Sequence, residues 1–265
     1  MNLDLTGRRA LVTGSTAGIG LAIARELARL GAEVAVNGRT AERVEQALAT
    51  LRGEASAGRF IPAPGDVGTE RGAAGVTKAI REVDILVNNA GIFEPKPFFD
   101  ISDEDWRRFF EVNVLSGVRL ARHYVPRMVE KGWGRVVFIS SESALNIPVE
   151  MVHYGMTKTA QLAVSRGLAE TVAGTGVTVN AVLPGPTLSE GVAKFLKKMV
   201  PSGDTSDLEA AGRQFVGEHR PSSLIGRLAS TEEVANLVAY VCSPTASATT
   251  GAALRVDGGV VRSIV

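Results

Sequence analysis

The sequence predicts an α/β protein built on one doubly wound parallel sheet, with about seven strands and helices on both faces. Three observations carry that prediction. Short apolar runs alternate with amphipathic stretches along all 265 residues, an order that feeds successive parallel strands through helical crossovers. A glycine-rich turn, Thr13 to Gly20 (TGSTAGIG), directly follows the first apolar run and opens the first helical pattern. No internal repeat or low-complexity linker divides the chain, so residues 1–265 read as a single domain.

The strands and helices follow in order. Ala10-Leu11-Val12 is the first strand, and Leu21, Ile23, Ala24, Leu27 and Ala28 mark the helix after the turn. In that setting the glycines allow a tight turn, and the helix N-terminus offers free N–H groups and a positive dipole end to a pyrophosphate. Glu33 to Asn37 is a second strand and Thr40 to Leu51 a helix. An acidic residue at the end of this strand would accept from an adenosine ribose 2′-hydroxyl; Asn37-Gly38-Arg39 has none, and its guanidinium suits a 2′-phosphate instead. The alternative is a solvated arginine that merely starts a helix.

Arg59 to Pro62 is the third strand, followed by Gly65-Asp66-Val67 and a weak helix from Thr69 to Arg81. Val83 to Val87 is the fourth, ending at Asn88-Asn89-Ala90-Gly91. Ser102 with Asp103, Glu104 and Asp105 caps a helical region that runs to about Lys131. Asn113 interrupts it among apolar neighbours, and a mid-helix asparagine leaves open a local distortion or a functional site.

Val136 to Ile139 reads as a buried strand that delivers Ser141. Thirteen residues on stands Tyr154, with Lys158 one helical turn further on the same face. A phenol beside an ammonium can move protons, because a nearby cation favours the phenolate and lowers a pKa of about 10. The helix from Val152 to Ala173 is apolar around most of its circumference, which predicts burial on more than one side and a subunit interface. Val177 to Val182 is the sixth strand. From Thr187 to Gly226 two amphipathic pieces, punctuated by Pro201-Ser202-Gly203-Asp204 and Pro221-Ser222-Ser223, predict a lid at about 187–226. Thr231-Glu232-Glu233 caps a helix to Cys242, and Ala253 to Val256 is the last strand.

Composition excludes several classes. A chain that is 45% hydrophobic and 22% charged is globular rather than disordered. Its net charge of +1 provides no footprint for nucleic acid and no polybasic membrane patch. No apolar run approaches the ~20 residues of a membrane span. The opening MNLDLTGRRALVTG enters a strand with no apolar signal region, so a cytoplasmic protein is expected. Its one cysteine, Cys242, lies in an apolar run, is expected to be buried and inert, and rules out an intrachain disulfide.

TGSTAGIG, Asp66-Val67, Asn88-Asn89-Ala90-Gly91, Asn113, Ser141, Tyr154-x3-Lys158 and Pro184-Gly185 stand in the order and spacing of the short-chain dehydrogenase/reductase family. The chain resembles the single-domain form of that family over essentially its whole length. The resemblance implies a Rossmann-like fold and an NAD(P)(H)-dependent oxidoreductase. It implies reduction of a small ketone or aldehyde to an alcohol, or the reverse, by hydride transfer with tyrosine as acid/base. By position it implies a catalytic tetrad of Asn113, Ser141, Tyr154 and Lys158, in which Asn113 distorts its helix so that its backbone holds a water linking Lys158 to solvent. Gly14, Ser15, Thr16 and Ile19 would line the pyrophosphate and ribose side, with Gly38 and Arg39 at the 2′ position. Asp66 and Val67 would flank the adenine, and Asn89, Ala90 and Gly91 the ribose and adjoining backbone. Pro184, Gly185, Thr187 and Ser189 would meet the nicotinamide end.

NADP(H) is favoured over NAD(H), mainly on Arg39, because Ala17 stands where many NADP-preferring members carry arginine. No metal is expected, and a homo-oligomer, tetramer or dimer, is. The stretch from Asp66 to Asn88 is about one turn shorter than in the family. Glu142, directly after Ser141, is expected to be a surface or backbone-capping carboxylate rather than a pocket group, and His153 structural. Substrate contacts are expected from Phe93, Glu94, Ser143 to Val149, Met151 and the 187–220 segment with Lys194, Lys197 and Lys198. Two further readings stay open. An enoyl reductase is disfavoured by the four-residue Tyr–Lys spacing, and a nucleotide-sensing regulator by the presence of all four tetrad residues.

Overall fold

In each strand the apolar residues point alternately to the two sides of the pleat, and here both sides are covered by helices. The computed structural model describes residues 2–54, 58–199 and 208–264. Its strands are β1 (Arg9–Val12), β2 (Glu33–Gly38), β3 (Arg59–Pro64), β4 (Ile85–Asn88), β5 (Gly134–Ile139), β6 (Val177–Pro184) and β7 (Ala253–Val256). They form one sheet in the order β3-β2-β1-β4-β5-β6-β7, with every pairing parallel.

The helices are α1 (Gly18–Arg29), α2 (Ala41–Glu54), α3 (Glu70–Ala79), α4 (Asp103–Phe110), α5 (Ser116–Glu130), α6 (Val152–Thr171), α7 (Glu190–Met199), α8 (Leu208–His219) and α9 (Thr231–Cys242). On one face Ile23 and Leu27 of α1, Leu48 of α2 and Val238 of α9 pack on Ala10, Val12, Val34 and Val36. On the other, Val76 of α3, Leu120 and Tyr124 of α5 and Ala169 of α6 pack on Leu11, Leu86, Val136 and Phe138. Strand order reverses between β1 and β4, and this switch point opens a crevice at the carboxyl ends of the strands.

Two local expectations change, and one open reading is decided. The cap of α9 is Ser230, one residue earlier than expected, in a capping box with Glu233. Residues Glu111–Leu115 form a π-helical turn between α4 and α5, so the asparagine there does mark a distortion. The inward face of α6 is not its apolar face. Its buried positions are His153, Gly155, Thr157, Lys158, Gln161, Ser165 and Ala169, while Leu162 and Val164 are only partly buried. The polar stripe is turned inward because its groups find buried partners there: Thr157 and Gln161 bond Asn113, and Lys158 bonds the Ile139 carbonyl. Beyond β6, Leu196, Val216 and Leu228 form a separate small apolar cluster beneath α7 and α8. Pro201, Ser202, Gly203 and Asp204 lie outside the described residues.

Candidate active site

The glycine turn works through backbone geometry. Gly14 and Gly18 have φ of +61° and +56°, a region that favours glycine. At Gly20 any Cβ would collide with the Gly14 carbonyl and the Asn89 side chain. Ala17 precedes α1 without a side-chain cap, so the first turn of N–H groups opens into a cleft of about 530 Å³ that Ala17, Gly18, Ile19 and Gly20 line. An uncapped helix N-terminus in a cradle that side chains would fill is the chemistry a dinucleotide pyrophosphate requires. Asn89 secures the cradle by donating through Nδ2 to the carbonyls of Thr13 (2.8 Å) and Gly14 (3.1 Å). The N–H groups of Asn89 and Ala90 both donate to Thr13 Oγ1 at 2.9 Å. Ser15 is fully buried, and its hydroxyl donates to Val12 O (2.7 Å) while its N–H donates to Asn37 O (2.9 Å), so both groups hold the turn itself.

At the end of β2, a side chain on Gly38 would run into Thr16 Cγ2, so no carboxylate fits there without moving that residue. Arg39 is exposed and makes no hydrogen bond or ion pair among the described residues. Arg43, one turn on, lines the same cleft as Gly18 and Ile19. Sequence reasoning passed over Arg43, although its four-residue spacing from Arg39 on a helix start was a legible signal. Asp66 accepts through Oδ1 from Gly68 N (3.0 Å), and Val67 beside it is buried.

The other end of the cleft gathers Ser141, Tyr154, Lys158, Pro184, Gly185, Thr187 and Ser189 with Asn89 and Gly91. Ser141 Oγ accepts from Ser143 N (3.1 Å), which leaves its own proton to donate, and the hydroxyl acts on the Tyr154 phenol to hold its pKa down. Lys158 Nζ donates to Ile139 O (2.8 Å) and Gln161 Oε1 (3.3 Å) and stands 5.6 Å from the Tyr154 ring centre. Asn113 does not line this cleft but braces it. Its Oδ1 accepts from Ile92 N (2.8 Å), and its Nδ2 donates to Ile92 O (3.0 Å) and Thr157 Oγ1 (2.9 Å). The Asn113 carbonyl, expected to hold a water, accepts from Gln161 Nε2 at 2.6 Å. Gln161 thus joins that carbonyl to Lys158, a role no spacing rule announced.

Electrostatics here differ from expectation. Burial pushes the Tyr154 phenol up to about 12, opposed by its hydrogen bond from Ser141, and Lys158 is not among the groups that shift it. Burial also brings Lys158 down to about 7. Each charged form loses water on burial, which disfavours it.

Several sequence expectations are corrected. Glu142 is no surface carboxylate: it is 3% exposed and paired through Oε1 with Arg220 Nε at 2.9 Å. Glu94 turns to solvent and pairs with Arg108 at 2.8 Å instead of lining the cleft. From the 143–149 stretch only Ser143 lines it, together with Phe93, Met151, Phe215 and Arg220. Lys194, Lys197 and Lys198 have side chains outside the described residues. Two expectations are not corrected. His153 is buried, its ring tilted 54° against Phe109 with centres 4.0 Å apart and its pKa lowered by burial. Cys242 is buried as well, its thiol pushed up to about 12.

Comparison with known proteins extends these observations. A family profile described as short chain dehydrogenase matches residues 8–199. The "Uncharacterized oxidoreductase YvaG" of Bacillus subtilis is 52% identical over 264 residues, all of both chains. The L-sorbose reductase of Gluconobacter frateurii, solved with NADPH and L-sorbose, is 32% identical and superposes with a TM-score of 0.92 over all of both chains. A 7α-hydroxysteroid dehydrogenase solved with NADH and a 7-oxo bile acid is 30% identical, with a TM-score of 0.84 over 100% of this chain and 98% of that one. These matches run through both the glycine turn and the tyrosine-bearing helix, and the chain belongs to the short-chain dehydrogenase family of oxidoreductases, enzymes acting on CH–OH and C=O groups.

Proposed function

We propose that this enzyme reduces a small ketone or aldehyde to an alcohol with NADPH, in a single-domain fold whose 187–226 segment acts as the substrate lid. The observation that carries the reading is the Ser141–Tyr154–Lys158 group, held in one cleft with the open N-terminus of α1. The cofactor, when bound, supplies or accepts hydride. Every other step belongs to this chain.

Ser141 donates to the substrate oxygen and orients it. Tyr154, whose phenol burial keeps protonated at neutral pH, delivers a proton to that oxygen. Lys158 holds the cofactor ribose beside the tyrosine, and Gln161, which accepts from Lys158 and donates to the Asn113 carbonyl, fixes the position of the ammonium. Reduction suits a loaded phenol better than oxidation, which needs the phenolate. Arg39 and Arg43, exposed beside the Gly38 end of β2, would receive a 2′-phosphate. That a similar reductase was solved with NADPH supports this preference, while the NADH-bound steroid dehydrogenase shows that the family tolerates either cofactor.

The test compares NADPH with NADH across a carbonyl panel for wild type and Arg39→Ala. NADPH is expected to be preferred, and the substitution to raise its KM by about tenfold while leaving NADH kinetics unchanged, as befits a charge-assisted hydrogen bond. Equal use of both cofactors by the wild type would refute the arginine argument.

A further inference from the structure

We propose that the Glu142 carboxylate recognises a hydroxyl group of the substrate, so that this enzyme acts on neutral hydroxylated ketones. The assignment rests on the reductase reading above and adds the class of substrate. Glu142 directly follows Ser141, on a short turn, Glu142–Ala144, at the end of β5. It lines the same cleft as Ser141 and Tyr154, with Arg220 opposite.

The hydrogen bonding of this carboxylate is lopsided. Oε1 accepts twice, from Arg220 Nε at 2.9 Å and from Ser143 Oγ at 3.2 Å. Oε2 is buried and has no partner among the described residues. A buried carboxylate oxygen without a donor is rare and costly, so such an atom in a substrate cleft marks a place where a ligand completes the set. A strut for the lid would look different. An arginine placed only to brace a carboxylate meets both oxygens with its two-pronged fork, whereas here one nitrogen meets one oxygen and the second oxygen is left over. The terminal torsion of a glutamate is broad, so a small rotation turns Oε2 to an incoming group.

Charge decides what that group is. Arg220 also lies 3.7 Å from Glu150, so one guanidinium faces two carboxylates. Asp257 adds a third negative group that acts on Glu142. A substrate carboxylate or phosphate would find Arg220 already paired, and a neutral O–H donor would meet an open acceptor of the stronger, charge-assisted kind. The recognised hydroxyl lies at the serine end of the cleft, because Glu142 directly follows Ser141 and lines the cleft with Tyr154.

The experiment measures kcat/KM with NADPH for 2-butanone, 1-hydroxy-2-butanone, 4-hydroxy-2-butanone and 2-oxobutanoate. For the wild type, one of the hydroxyketones is expected to exceed 2-butanone by about 100-fold or more, since a site built to bond a hydroxyl rejects the analogue lacking it. The oxoacid is expected to be the poorest. Glu142→Leu should cut the hydroxyl preference at least about tenfold. The double variant Glu142→Leu/Arg220→Met, which removes both charges together and so strands neither, should do the same. Melting curves establish that each variant is folded. A preference unchanged in the double variant, with all rates falling together, would reduce the pair to a structural brace and overturn the proposal. So would a wild type that uses 2-butanone or 2-oxobutanoate as well as the hydroxyketones. Turnover of none of the four compounds would instead overturn the reductase reading, and this assignment with it.

Discussion

At the level of single residues, the site sets a loaded acid beside a reluctant cation. Tyr154→Phe removes the proposed proton donor and nothing else of size, and turnover is expected to fall by about 10³-fold while NADPH still binds, as fluorescence titration would show. Substantial residual activity would remove the assigned acid. Lys158 makes a prediction about stability. Its folded pKa of about 7 lies below the ordinary 10.5, so between these values the unfolded chain holds a proton that the folded protein does not. Stability from this group therefore rises as pH climbs from 7 and is lost as pH falls back through 7. The buried Cys242 thiol opposes the trend only above its ordinary 9.0. Between pH 7 and 9 the cofactor-free wild type should gain about 5 °C in Tm relative to Lys158→Met. Parallel curves would mean that burial does not hold the ammonium down.

At the level of elements, the π-turn at Glu111–Leu115 and helix α6 act together. The Asn113 carbonyl lies in the π-turn, and Gln161, one turn beyond Lys158, donates to it at 2.6 Å. Gln161→Leu keeps the volume and loses the bridge. It is expected to lower kcat about tenfold with the KM for NADPH little changed, because the group positions Lys158 without touching substrate. A matched rise in KM would place Gln161 in cofactor binding instead. The inverted pattern of α6 has the same origin. A helix that spends its inner face on Lys158, Gln161 and Thr157 leaves Leu162 and Val164 half-covered on its flank.

At the level of the whole molecule, that flank is the expected interface of a homo-oligomer, and analytical ultracentrifugation should show a species of two or four 265-residue chains. A monomer at micromolar concentration would leave the half-covered apolar face without explanation. The alternation of apolar runs and amphipathic stretches, the glycine turn after the first strand and the tyrosine four residues before lysine were all legible in the sequence. Each depends on local periodicity or on the backbone preferences of neighbouring residues. They were enough for the parallel sheet, the location of the glycine turn and the Ser141–Tyr154–Lys158 grouping. Tertiary structure alone decided what depends on distant segments meeting. Glu142 and Arg220 pair across 78 positions, Gln161 and Asn113 across 48, and no short-range rule brings either pair together. The direction of the Tyr154 pKa shift was misjudged from sequence for the same reason. A nearby cation can be read from spacing, but the loss of water that outweighs it depends on everything packed around the site.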